Sequence, residues 1–232
     1  MTTAAETEIL RFADALAALD DDDWTKQTDC PKWTVRDMAG HVVGMTRTFT
    51  ALPQFVGHMV AGTRAAGDRP MIDGLTEVQV ERNAGASNAE IVAQLRALAP
   101  RNARWRSSRR LMRKLPLKND MRDGSVETWK LAYLVDTILT RDTWMHRVDL
   151  ARATDHPMTL TPEHDGRLVA DAVAEWASRH GQPYTLHLTG PAGGDFSAGE
   201  GGEEITIDAV EFCRILSGRG EGSGLLTQEV PF

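Results

Sequence analysis

Two histidines and one aspartate in predicted helices have the types and spacing of a metal-binding site. Asp142 and His146 lie four residues apart in a stretch without Pro or Gly, so both side chains leave the same face of a helix, one turn apart. A carboxylate and an imidazole at this spacing can share one divalent ion, as they do where facing helices of a bundle supply ligands. A third ligand must come from another helix, and His41 is the best candidate. Three nitrogen and oxygen ligands leave a coordination position open, which is typical of catalytic rather than structural zinc.

The spacing alone leaves other interpretations open. An Asp-x-x-x-His pair arises often by chance, and a single histidine on an amphipathic helix is more often a core or boundary residue than a ligand. Asp149, one turn beyond His146, either orients that imidazole through a hydrogen bond or is an acid on the helix surface. Cys30 and Cys213 are too few for a disulfide framework, and we interpret both as small buried hydrophobic residues.

Four helical patterns are available to position these side chains. Apolar residues recur at helical spacing from Ile9 onward, and capping-box sequences at residues 34–37 and 87–90 predict the starts of two more helices. The stretch 126–153 contains no Pro or Gly and is predicted to form the fourth helix. Residues 61–86, rich in Gly, Arg and Asp, are predicted to be a long connection. Four such helices packed antiparallel form a bundle.

The last third of the chain changes character. Thr161-Pro162 is typical of a helix start, and residues 184–188 alternate in polarity as a strand does. Residues 204–207 form a second short strand pattern. The prediction is therefore a mainly α protein of two domains: residues 1–155 form a metal-binding four-helix bundle, and residues 156–232 form a small α+β domain.

Three segments of the chain resemble a known family. Residues 30–42, CPKWTVRDMAGHV, resemble the C-P-x-W-[TS]-V-x-D-x-x-x-H segment of the DinB-like proteins, most closely the mycothiol-dependent maleylpyruvate isomerase group. Residues 141–150, RDTWMHRVDL, are similar to that group's second signature, and residues 205–219 are similar to its small C-terminal domain. Each motif alone is weak, but the three occur in the expected order across nearly the whole chain.

The resemblance implies a DinB-like four-helix bundle that holds a divalent metal through His41, Asp142 and His146. Zinc is the usual metal, with nickel as the alternative, and the sulfur of mycothiol would occupy the open position as a thiolate, the reactive form of a thiol. In the isomerase this thiolate adds to the activated double bond of maleylpyruvate, permits rotation and is expelled, whereas in sibling enzymes the thiol stays on the product. The family pattern has Glu where this chain has Asp142, which leaves the metal chemistry possible but the substrate unassigned.

The resemblance also implies that Arg219 is a catalytic residue that reaches from the C-terminal domain to an oxygen of the substrate by a bidentate contact. The alternative is that Arg219 simply follows a helix end, where a cation complements exposed carbonyl groups. We therefore predict a mycothiol-using isomerase or thiol S-transferase that acts on a small electrophile. The alternatives are a metal-dependent hydrolase of the same fold, in which metal-bound water replaces the thiol, and a non-catalytic stress-response or ligand-binding protein.

Composition argues against several other functions. The 232 residues include 26 Lys and Arg against 33 Asp and Glu, a net charge of −7, which disfavours nucleic acid as a partner. The basic residues within 101–114 are predicted to form a solvated face or to attract an anionic substrate. No stretch approaches the roughly 18 apolar residues of a membrane span, and the first residues lack an export signal. We expect a cytoplasmic protein, monomer or homodimer, with neither membrane nor nucleic-acid partners.

Overall fold

The chain divides into two compact units, Met1–His156 and Pro157–Phe232. The structure is a computed structural model that describes residues 2–121 and 124–232, apart from the side chains of residues 2, 3 and 120. That residues 1–155 and 156–232 form two independent domains remains a prediction from the sequence.

The N-terminal unit is mainly helical. Its helices are α1 (Thr2–Ala17), α2 (Val35–Thr48), α3 (Leu52–Ala66), α4 (Met71–Asn83), α5 (Asn88–Ser108), α6 (Leu131–Tyr133) and α7 (Leu139–Thr154). A π-helical turn, Leu134–Ile138, joins α6 to α7. Strands β1 (Pro116–Asp120) and β2 (Val126–Lys130) pair antiparallel. Within the described residues, no helix combines the length and the apolar character that a membrane crossing requires.

Four of these helices, α1, α2, α5 and α7, share one hydrophobic core, as the sequence predicts. Phe12 of α1, Val42 of α2 and Leu95 of α5 are fully buried in it together with Leu150 of α7. Burying an aliphatic or aromatic side chain of this size contributes about 1.5–3 kcal/mol. This core determines the mutual placement of α2 and α7, the two helices that carry the candidate ligands.

Capping boxes determine where α2 and α5 begin. The hydroxyl of Thr34 accepts a hydrogen bond from the backbone N–H of Asp37 (3.3 Å), whose carboxylate accepts one from the N–H of Thr34 (3.0 Å). Ser87 and Glu90 make the same reciprocal pair. These two predicted capping boxes are confirmed, and each satisfies two N–H groups that the helix itself leaves unpaired.

The long connection predicted over residues 61–86 is wrong, because most of these residues belong to α3 and α4. Two of the glycines that suggested a loop, Gly62 and Gly74, are points of close helix contact. A Cβ atom on Gly74 of α4 would lie 2.3 Å from the carbonyl oxygen of Gly62 of α3. In the same way, a Cβ atom on Gly44 of α2 would lie 2.6 Å from the side chain of Gln79 of α4. Only glycine permits such approaches in a closely packed interior.

The fourth helix predicted over residues 126–153 is wrong at its start. Val126–Lys130 forms β2, in which Thr128 faces Lys118 of β1 and exposure alternates along the strand. β-branched and aromatic residues favour this pleated arrangement. The chain becomes helical only from Leu131, so Asp142 and His146 still lie on a helix, as predicted.

The C-terminal unit is the small α+β unit that the sequence predicts. Its elements are α8 (Asp165–His180), β3 (Tyr184–Thr189), β4 (Gly194–Ala198), β5 (Glu203–Asp208) and α9 (Ala209–Leu216). Strand β3 is central, antiparallel to β4 and parallel to β5; β4 was not predicted. The rings of Trp176 and Phe212 pack edge to face with their centroids 5.4 Å apart, which ties α8 to α9.

Candidate metal centre

The structure brings together the three side chains that the sequence predicts as ligands. His41 lies in the second turn of α2, and Asp142 and His146 lie on successive turns of α7. The Nε2 atom of His41 is 3.6 Å from Oδ2 of Asp142, and Nε2 of His146 is 3.4 Å from Oδ1. One donor atom from each residue lies within 4.8 Å of the other two.

These separations fit a shared ion. Zinc–nitrogen and zinc–oxygen distances of about 2.0–2.2 Å place two ligands of a tetrahedral ion about 3.3–3.5 Å apart. Among the described residues, neither Oδ2 of Asp142 nor Nε2 of His146 has a hydrogen-bond partner, although both atoms are buried. Buried acceptors that face one another are costly unless a cation or a proton lies between them. Two imidazoles and one carboxylate form a donor set that suits zinc and also accepts nickel.

Electrostatics couple the carboxylate to the imidazoles. Burial alone would favour the neutral form of each group. The attraction between Asp142 and His146 outweighs burial, so it lowers the pKa of Asp142, with a further contribution from His41, and raises the pKa of His146 well above its ordinary value. Without a metal ion, a proton on His146 therefore compensates the carboxylate, and a metal ion would have to displace it.

Asp149 orients the imidazole of His146. Its carboxylate is fully buried, and Oδ2 accepts a hydrogen bond from Nδ1–H of His146 at 3.0 Å. This contact keeps the proton on Nδ1 and turns the lone pair of Nε2 toward Asp142, the usual support of a metal-binding histidine. The sequence left open whether Asp149 orients His146 or lies on the helix surface. Its burial and its hydrogen bond fit the first interpretation.

Two residues of the segment 30–42 lie at the site, although the sequence did not predict them as site residues. The thiol of Cys30 donates to the same oxygen of Asp149 at 3.7 Å, so this half-buried cysteine is more than a packing residue. The ring of Trp33 stacks on His41, with centroids 4.7 Å apart and planes 29° from parallel. Cys30 and Trp33 belong to the same family-like segment as His41. That shared segment was the signal in the sequence that could have placed them at the site.

A second group, Cys30, His146 and Asp149, also has donor atoms within 4.8 Å of one another. In that group, Nδ1 of His146 and Oδ2 of Asp149 already satisfy each other through their hydrogen bond. By contrast, Nε2 of His146 and Oδ2 of Asp142 have no hydrogen-bond partner among the described residues. The set of His41, Asp142 and His146 is therefore the better candidate for a metal ion.

Arg219 lies in the C-terminal unit, directly after α9. Its backbone N–H donates to the carbonyl of Arg214 at 2.8 Å, and its own carbonyl accepts from the guanidinium of Arg214 at 3.1 Å. These contacts form part of the turn that ends the helix. The catalytic role assigned to the Arg219 side chain remains a prediction.

The helical fold of the N-terminal unit and its match to a family profile place the chain among the DinB-like proteins. Residues 5–151 match the sequence profile of the mycothiol maleylpyruvate isomerase N-terminal domain, and the chain belongs to that family. The resemblance seen in the motifs is thereby confirmed. No protein with curated annotation matches the chain.

Two solved structures share the fold. One is the mycothiol-dependent maleylpyruvate isomerase, with a TM-score of 0.53 and 18% identity over 99% of this chain and 93% of that chain. The other is a variant of the mycothiol-dependent maleylpyruvate isomerase in which one histidine is replaced by alanine, with a TM-score of 0.53 and 17% identity over 94% of this chain and 88% of that chain. At these identities the similarity establishes the fold.

Proposed function

We propose that this protein is a metal-dependent enzyme that uses mycothiol, a low-molecular-weight thiol, either to isomerise a small electrophile or to transfer the thiol to it. The observation that carries the proposal is the convergence of His41, Asp142 and His146, with buried acceptor atoms that have no partner in the described part of the chain. Membership of the mycothiol maleylpyruvate isomerase family supports the choice of thiol.

The residues of the site divide the work of holding an ion. Asp149 keeps His146 in the tautomer whose Nε2 lone pair is free, and the stacking of Trp33 restrains the ring of His41. Asp142 supplies the one negative charge of the set. Two neutral imidazoles and one carboxylate leave a single positive charge of a divalent ion uncompensated, which favours an anionic fourth ligand. Zinc or nickel bound there would lower the pKa of a thiol and supply its thiolate.

The substrate class follows from the same chemistry. A thiolate adds to an electron-poor carbon, so the substrate is a small electrophile such as an activated alkene. Expulsion of the thiolate after rotation gives an isomer with no net change in composition, whereas protonation of the adduct gives a thioether product. We assign Arg219 to a carboxylate of the substrate, as the family resemblance implies. Arg219→Lys keeps the charge but loses the bidentate geometry, so it is expected to raise KM more than it lowers kcat.

Calorimetry of the zinc-loaded protein with mycothiol tests the proposal. One mycothiol should bind per chain of the parent, and binding should disappear in His146→Ala. His58→Ala is the matched control, because His58 is a histidine of α3 that is only 2% exposed and is held by the carbonyl of Gln54 at 2.9 Å. Binding should survive in that variant.

The turnover measurements distinguish the proposal from its alternatives. Incubation with mycothiol and maleylpyruvate, followed by other activated alkenes, should yield either an isomer or a thioether. A protein that holds zinc but binds no mycothiol would contradict the proposal. Ester hydrolysis without thiol would identify the hydrolase instead, and mycothiol binding without turnover of any electrophile would identify a ligand-binding protein.

A further inference from the structure

A buried arginine at the end of α5 lacks partners for part of its side chain. Arg106 belongs to the basic stretch 101–114, predicted to form a solvated face or to attract an anionic substrate, yet it is 0% exposed. Its Nη1 donates to the hydroxyl of Thr140 at 3.2 Å. Its Nε and Nη2 have no partner within the part of the chain that the structure describes. Burial lowers the pKa of Arg106 to about 10, so the guanidinium is still charged at neutral pH.

The acid that attracts Arg106 is already paired with another arginine. Asp136, in the π-helical turn, attracts Arg106 and raises its pKa against the effect of burial. Both carboxylate oxygens of Asp136 accept hydrogen bonds from Arg113, one of them at 3.0 Å. Two cations therefore share one anion, and the cluster carries one uncompensated positive charge. A buried charge without a counter-ion is strongly unfavourable.

The unpartnered atoms lie on one edge of the guanidinium. Nε and Nη2 point in the same direction and form the fork that binds both oxygens of a carboxylate side-on. The same bundle shows this edge filled at Arg147, where Nε and Nη2 donate to the two oxygens of Glu8 at 2.7 and 3.2 Å. Arg147 and Glu8 are both buried as well. Arg106 presents the equivalent edge without the carboxylate.

Asn102 and Thr46 carry two further buried polar atoms that lack a partner among the described residues. Asn102 precedes Arg106 by one turn on the same face of α5, and its amide N–H donates to the carbonyl of Thr46 on α2 at 2.8 Å. Oδ1 of Asn102 and the hydroxyl of Thr46 are buried and have no partner among the described residues. Nε–H and Nη2–H of Arg106 can therefore donate to the two oxygens of an anion. Oδ1 of Asn102 and the hydroxyl of Thr46 can bind a polar group elsewhere on the same ligand.

We propose that Arg106 anchors a buried binding site for a small monovalent carboxylate between α2, α5 and α7. The site is separate from the three candidate metal ligands. Thr46 follows His41 by five residues, about 7.5 Å along the helix at 1.5 Å per residue. The inference rests on Arg106 and its neighbours alone and does not depend on the proposed function.

Acetate titration of the purified protein, followed by NMR, tests the site. The side-chain Nε–H signal of Arg106, identified by its absence in Arg106→Lys, should shift saturably with acetate at constant ionic strength and not with chloride. Arg106→Lys should weaken acetate binding by roughly tenfold or more, because lysine cannot offer the two-donor edge. Arg109→Gln, at an exposed position less than one turn away, should bind acetate as the parent does, and so should His146→Ala.

A second variant keeps the test independent of the folding of Arg106→Lys. Thr140→Asp places a carboxylate next to the guanidinium, so it should raise the melting temperature and abolish the acetate-induced shift. Absence of a saturable shift in the parent would overturn the proposal. An equal shift with chloride would also overturn it. The same holds if Thr140→Asp leaves the acetate-induced shift unchanged, or if His146→Ala removes that shift.

Discussion

Replacing Asp149 by Asn tests how the histidine of the candidate metal centre is oriented. The buried carboxylate accepts a hydrogen bond from Nδ1–H of His146 at 3.0 Å. Asn keeps an acceptor oxygen but removes its charge. A hydrogen bond to a charged group contributes about 1.5–3 kcal/mol and a neutral one about 0.5–1.5 kcal/mol. The difference of about 1–2 kcal/mol corresponds to a roughly 5- to 30-fold loss of zinc affinity, at 1.4 kcal/mol per tenfold.

Competition with a chromophoric chelator at fixed pH measures this loss. Asp149→Ala, which removes the acceptor altogether, should lose more, up to about 100-fold. Asp37→Asn is the control, because Asp37 caps α2, the helix of His41. It should destabilise the fold by about 1 kcal/mol and leave zinc affinity unchanged. Equal zinc affinity in Asp149→Asn and the parent would show that Asp149 does not support His146 as a zinc ligand. An equal loss in Asp37→Asn would attribute the effect to helix stability.

Further predictions concern protons, helix contacts and a buried ion pair. The raised pKa of His146 lets a proton compete with the metal. Zinc affinity should therefore rise by up to about tenfold per pH unit until the pH exceeds that pKa. A zinc affinity that does not change from pH 6 to 8 would contradict this. Gly74→Ala should cost more than about 2 kcal/mol in urea unfolding. Gly57→Ala should be neutral or stabilising by up to about 1 kcal/mol, because no atom of a described residue lies within 4 Å of the new Cβ. Equal effects would disprove the close helix contact. Glu8→Gln should lower the free energy of unfolding by about 3–5 kcal/mol, because it removes the negative charge from the buried ion pair between Glu8 and Arg147. A loss below 1 kcal/mol would contradict the importance of that pair.

Local periodicity made much of the candidate site predictable. A spacing of four residues places Asp142 and His146 on one helix face wherever the helix begins, so the error at residues 126–130 did not affect it. His41 required more, because its distance from α7 depends on packing. The family resemblance predicted that His41 lies close to Asp142 and His146. The physical cause is the hydrophobic core that packs α2 against α7.

Other features could not be predicted because their cause is tertiary. Gly62 and Gly74 suggested a loop by composition, whereas their lack of side chains allows α3 and α4 to cross closely. In the same way, Arg106 was one of several basic residues in sequence, and only the fold shows that it is buried beside Thr140. The direction in which a side chain points, toward solvent or toward a neighbouring helix, is decided by partners that are distant along the chain.

X-ray absorption spectroscopy of the zinc-loaded protein, without added thiol, tests the central claim most directly. We expect one zinc ion per chain with only nitrogen and oxygen neighbours, two of them imidazoles, and a single imidazole neighbour in His41→Ala. A sulfur neighbour at about 2.3 Å would move the ion to Cys30, His146 and Asp149. A parent protein that holds no zinc would contradict the candidate metal centre itself.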